Sequence, residues 1–305
     1  MNIIKYKAIF IGILSALFFA VTFIINKLMA NEGGSWIWSS SLRFYWMLPF
    51  FLVIVIMRKN LFPVLLSIHQ RPIQWILWST IGFGVFYAPL TYSASFSPSW
   101  LVASSWQFTI IAGILVSPFI YKGIHISISS FLFSGLIFLG ILTMQIGQIN
   151  HIQFKDLLTG SFWIVIAAFA YPLGNRKMIL MLQGSLDVYQ RILGMIICSL
   201  PFWLILNVYG ITIEHSIPND TQIYQTFIVA LFSGVIATTL FFYAAELVHH
   251  DLKTLASVEA TQSGEVLFTL LGEIILFHIA LPDTLSMIGI GLVLIGMILH
   301  STHSK

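Results

Sequence analysis

Four of the eleven acids in this 305-residue chain, Glu246, Glu259, Glu265 and Glu273, lie in or beside apolar stretches where a charge is costly. A carboxyl held away from water can exchange a proton near neutral pH or bind a cationic ligand. At about 100° per residue, Glu259, Gln262, Glu265, Thr269 and Glu273 share one polar sector of a helix. Glu265 sits closest to the middle of its stretch and is the first candidate for a proton or substrate ligand; the alternative is a neutral carboxyl hydrogen-bonded to a neighbouring helix. Glu259 is a second candidate, and Glu273, near the stretch end, reads as a packing or capping residue. Arg43 and Arg191 are the natural charge partners, although both lie near stretch ends, where a long side chain can also reach the interface. Trp106 and Gln107, with Tyr92 and the rings of Trp36, Tyr45, Phe108 and Tyr171, could line a pocket for flat or cationic molecules by stacking and cation–π attraction.

Other chemistries find no support. His249-His250-Asp251 lacks a helix-spaced partner and reads as a solvated turn, so no metal site is expected. No phosphate-binding loop or nucleophile elbow occurs, and no cofactor is implied. The single Cys198 excludes an intrachain disulfide. A net charge of +3 with scattered basic residues excludes a nucleic-acid surface.

The elements that position these residues must cross a membrane. From Pro72 to Tyr121 no Asp, Glu, Lys, Arg or His occurs, and such a run crosses a bilayer twice. The composition, 58% hydrophobic and 8% charged, agrees. Apolar runs between polar breaks predict an all-α polytopic protein with ten spans: Ala8–Met29, Trp36–Met57, Ile73–Ser95, Ser99–Tyr121, Ser127–Ile146, Asp156–Leu180, Val188–Tyr209, Tyr224–Val248, Leu252–His278 and Thr284–His300. The first is too long for a signal peptide and reads as a retained span.

The halves 1–150 and 151–305 resemble each other. Asn26-Lys27 answers to Asn175-Arg176-Lys177, Arg43 to Arg191, and Tyr92-Ser93-Ala94 to Tyr243-Ala244-Ala245. Five spans per half place the second copy upside down, an inverted repeat of the kind secondary transporters use, with the site at the repeat interface between spans 4 and 9.

Several strings are similar to a bacterial family called putative multidrug resistance efflux transporters, within the drug/metabolite transporter superfamily. They are Gly34-Ser35-Trp36-Ile37-Trp38, Ser41-Leu42-Arg43, Tyr87-Ala88-Pro89-Leu90-Thr91, the run from Ala168 to Lys177, and the run from Val258 to Val266. The resemblance implies a secondary exporter of small organic molecules, drugs or organic cations, in the bacterial inner membrane, working by alternating access. Its partners would be a small-molecule substrate and the lipid bilayer. The small four-span antiporters related to this family carry their coupling Glu in the first span. Spans 1 and 6 have no interior acid here, so proton coupling moves to span 9. Export of a metabolite such as an amino acid is the rival reading; a membrane-embedded enzyme and a passive scaffold are the distant ones. Oligomeric state is not written in the sequence.

With the N-terminus inside, the cytoplasmic segments collect Lys5, Lys7, Arg58, Lys59, Arg71, Lys122, Arg176, Lys177, Lys253 and Lys305, against Lys27 and Lys155 outside. Reporter tags at both termini and between Arg58 and Arg71 are therefore expected to register cytoplasm, and a tag between Glu214 and Asp220 the exterior. A C-terminal tag found outside would remove the ten-span topology.

Overall fold

A computed structural model describes residues 2–121, 127–248 and 251–303, and among them every regular element is helical. Ten helices are long and apolar enough to cross a bilayer, matching the ten expected spans. Spans 1 to 5 are Ile3–Asn31, Trp36–Met57, Pro72–Ser93, Ser99–Ile120 and Ile128–Gln148; spans 6 to 10 are Phe154–Leu182, Val188–Thr212, Asp220–Leu247, Ser257–Phe277 and Thr284–Thr302. His249, His250, Lys122 and Lys305 lie outside the described residues.

Local chemistry sets the ends. Ser35 caps span 2, and Asn219 caps span 8 through the Gln222 amide at 2.7 Å. Asp187 and Gln190 form a reciprocal capping box at the head of span 7, with bonds of 2.8 and 2.9 Å. Asp283 heads span 10 and accepts from Leu285, Ser286 and, at 2.9 Å, the Gln148 amide of span 5. Burial pushes the Asp283 carboxyl up, but hydrogen bonds from Ser286 and Leu285 outweigh it and hold the group below the usual carboxylate range. Between spans 2 and 3, Leu61–Gln70 forms a short helix with exposed Phe62, Leu65 and Leu66. Such an apolar face suits the lipid headgroup boundary.

Two spans depart from α geometry at comparable depths. Thr80–Val85 in span 3 and Ala230–Ala237 in span 8 are π-helical. A π segment widens the helix and misaligns its carbonyls. The Ser15 hydroxyl of span 1 donates to the Ala237 carbonyl at 3.0 Å, a cross-helix answer to that misalignment.

Packing partnerships recur between the halves. Span 1 packs on spans 8 and 9, and span 6 on spans 3 and 4; span 2 packs on span 8, and span 7 on span 3. Spans 2 and 7 also meet each other, as do spans 5 and 10. The contact of span 6 with the π segment of span 3 runs through glycine on both sides. A Cβ added at Gly174 would fall on the backbone nitrogen and Cα of Gly82, which no rotamer change can relieve.

Gly174→Ala is therefore expected to destabilise the protein by about 1–3 kcal/mol, the usual cost of overpacking, read as a lowered Tm in detergent. Gly291→Ala, where an added Cβ meets nothing within 4 Å, serves as the neutral control.

Candidate functional site in the bundle interior

Spans 4 and 9 are both interrupted near their middles. Span 4 runs as Ser99–Trp106 and Phe108–Ile120 with a turn at Gln107, and span 9 tightens to a 3-10 turn at Thr261–Ser263 before continuing as Gly264–Phe277. Broken helices in a membrane put backbone polar groups where side chains or water can meet them. The two breaks bring Gln107 and Glu265 together: the Gln107 side chain lies beside the Glu265 carboxyl, which is also within electrostatic range of Arg43.

Aromatic rings wall this acid. Phe86 lies 5.0 Å from Trp106 and 4.9 Å from Tyr171, and Trp106 and Tyr171 meet edge-on at 5.6 Å. Trp106 is nine-tenths buried, whereas Tyr171 keeps 40% of its surface accessible although its ring is packed on two neighbours. We take this accessible ring, packed against Phe86 and Trp106, as the wall of a cleft between spans 3, 4 and 6. Tyr171 is within electrostatic range of both Glu265 and Arg191.

The two arginines are held differently. Arg43 is buried and donates to the Thr22 hydroxyl at 3.3 Å and the Ser233 hydroxyl at 3.2 Å; Thr22 and Ser233 are themselves 2.5 Å apart. Its guanidinium stacks 4.2 Å from the centre of the Tyr87 ring, and the Tyr87 hydroxyl accepts from Asn26 at 3.2 Å. The Arg43 Nε has no partner among the described residues. Arg191 is partly exposed, and Tyr171 is the group whose field it feels.

Other expected site residues lie apart. Tyr92 packs with Trp36, Phe96 and Trp163 at 4.9, 4.9 and 5.6 Å, an aromatic cluster at the end of span 3 and not part of the cleft. Tyr45 accepts from Asn207 at 2.9 Å, and Phe108 packs on Phe138 and Phe169. Glu259 is exposed two residues into span 9, whereas Glu265, beyond the 3-10 turn, is partly buried. Gln262, inside that turn, donates to the Gly12 carbonyl of span 1 at 3.4 Å and to Thr261 at 3.3 Å.

Glu273 caps a helix, but not its own. Its two oxygens accept from the amides of Ser99 and Trp100 at 3.0 Å each, so span 9 closes the N-terminus of span 4. Lys27 of span 1 lies within electrostatic range of this carboxylate and donates to the Ala94 carbonyl at 3.1 Å. The sequence marks Glu273 as a packing or capping residue; that it caps span 4 and not its own span is what the structure adds. At another point Arg176 of span 6 bonds the Gly113 carbonyl and, at 2.6 Å, the Ser117 hydroxyl of span 4.

A ten-span helical bundle with acids and arginines set among its spans belongs to the architecture of membrane transporters. A family model described as "Putative multidrug resistance efflux transporter" matches residues 6–305, and the chain belongs to this family of transporters, which are not enzymes. It is 48% identical over 310 residues to "Uncharacterized protein YjlA" of Bacillus subtilis (strain 168), covering 98% of this chain and 95% of the relative. An "Uncharacterized 42.1 kDa protein in intracellular alkaline protease 3'region" of Shouchella clausii is 43% identical over 270 residues, with 85% of this chain and 70% of the relative covered. A solved crystal structure at 13% identity superposes with a TM-score of 0.64 over 96% of both chains and shares the fold. The protein is a multi-pass membrane transporter.

Glu273→Ala is expected to leave two buried amides without acceptors, at about 1–3 kcal/mol each. Hydrogen exchange at Ser99 and Trp100 should accelerate and the Tm should fall, with Glu273→Gln intermediate because one carbonyl acceptor remains. Unchanged exchange in the Ala variant would show that the cap is replaced without loss.

Proposed function

We propose that the protein is a secondary exporter of small organic molecules in the cell membrane, with both termini cytoplasmic, in which Glu265 carries the coupling proton. The observation that carries this reading is the placement of Glu265 beside Gln107, at the facing breaks of spans 4 and 9, next to a ring-lined cleft. Protonated, the carboxyl is neutral and can release a positively charged group such as a substrate's amino group; ionised, it attracts one. Proton and substrate then alternate at one group.

The recurring partnerships between residues 1–150 and 151–305 support two inverted five-span halves. Alternating access requires the ends of the cleft to open in turn, and the two ends differ here. At one end the Phe86–Ser93 half of span 3 packs on span 2, Glu273 caps span 4 and Lys27 ties span 1 to Ala94. At the other, the Thr238–Leu247 half of span 8 makes no comparable packing on span 7 among the described residues. With the N-terminus inside, this is an inward-facing arrangement, closed to the exterior by the Glu273 knot.

Purified protein in liposomes is expected to drive substrate against its gradient when a pH gradient is imposed, and Glu265→Gln to abolish that dependence while staying monodisperse in detergent. Glu259→Gln should lose less, because Glu259 is exposed in this arrangement. A folded Glu265→Gln protein that still concentrates substrate under a pH gradient would sink the carrier assignment.

A further inference from the structure

The charge inventory of the cleft does not suit a simple cation. Around Tyr171 and the Trp106 and Phe86 rings stand one carboxyl, Glu265, and two guanidinium groups, Arg43 and Arg191. Arginine keeps its charge in any protein environment. The cleft is therefore net positive when Glu265 is ionised and more so when it is protonated. A lipophilic cation entering to meet Glu265 would face two like charges.

The arginines are not equivalent. Arg43 already has two hydroxyl partners and a tyrosine face, so it is fixed and serves Glu265 from a distance. The Arg191 side chain makes no hydrogen bond or ion pair among the described residues, is partly exposed, and senses the accessible Tyr171. The acid nearest to it in sequence, Asp187, is committed to Arg58 at 3.5 Å and to the Gln190 amide. A guanidinium inside a bundle with its donors unspent calls for an acceptor with two oxygens.

Resting on the exporter reading above, we infer that the transported molecule carries a carboxylate on a flat apolar body: Arg191 binds the carboxylate, and Trp106, Phe86 and Tyr171 take the apolar part. An amino group, where the substrate has one, would meet Glu265. This sets the substrate class as carboxylates and zwitterions, not organic cations. Arg191 stands on the side of the cleft that lacks the Glu273 knot, where a ligand arriving in the inward-facing arrangement would first meet protein.

Four probes test it by calorimetric titration of the purified protein in nanodiscs: 3-phenylpropionate, phenylalanine, phenethylamine and tetraphenylphosphonium. At least one of the two carboxylates is expected to bind ten or more times tighter than phenethylamine and tetraphenylphosphonium. Arg191→Gln should remove that preference, and Arg191→Lys should keep part of it, which separates lost charge from lost folding. Equal or tighter binding of either cation, a preference that survives Arg191→Gln, or no binding of either carboxylate overturns the assignment. Cation binding would leave the exporter reading standing, and failure of pH-driven transport would strike that reading without touching the anion preference.

Discussion

Hydrocarbon cannot hydrogen-bond, and that refusal arranges everything else in this bundle. A polar side chain on a span must find a partner on another span or face a water-filled space. The polar residues accordingly gather in a few interior seams. Thr22, Asn26, Arg43, Tyr87 and Ser233 draw four spans together around one guanidinium. Gln148, Asp283 and Ser286 join spans 5 and 10, with Gln148 bonded to Ser286 at 3.0 Å. Outside these seams the bundle shows lipid-compatible side chains such as Phe10, Phe119 and Ile205.

The same constraint explains why helix breaks and candidate chemistry coincide. An interrupted span leaves backbone donors and acceptors to be satisfied, so breaks persist where other polar groups are close. Gln107 sits at the break of span 4 and its amide donates to the Ala103 carbonyl at 3.1 Å; the same side chain reaches Glu265. Ser99 and Trp100, at the start of that span, are satisfied by Glu273. Each irregularity in span 4 is thus answered by an acid of span 9, and the two spans are one functional unit.

The spans were legible in the sequence because the bilayer demands long uncharged runs, and residues 72–121 could be read no other way. The meeting of Gln107 with Glu265 followed from pairing the two halves. What stayed hidden turned on local winding. The 3-10 turn at Thr261–Ser263 changes the winding between Glu259 and Glu265, and nothing in Thr-Gln-Ser announces it. Tyr92 matched Tyr243 by position in the repeat, yet a match between halves says nothing of which way a ring points. The helix Leu61–Gln70 had a signal, since Phe62, Leu65 and Leu66 recur at helical spacing, but its ten residues are too few to span and were read as connection. The trans cap by Glu273 links positions over 170 residues apart and has no local signature.

The π segments of spans 3 and 8 store surplus chain. A π turn holds more residues than an α turn at nearly the same height, so each segment is a slack loop wound into its helix. Slack of this kind can migrate by one residue at the cost of exchanging one carbonyl partner for the next, which turns the helix beyond it without lengthening the span. Gly82 and Gly84 in one segment and Gly234 in the other put little bulk in the way of that exchange. The chain past Thr80–Val85 carries Phe86 and Tyr87; the chain past Ala230–Ala237 carries Tyr243. A one-residue slip would swing the wall of the cleft while the lipid-facing ends of both spans stayed at their depth.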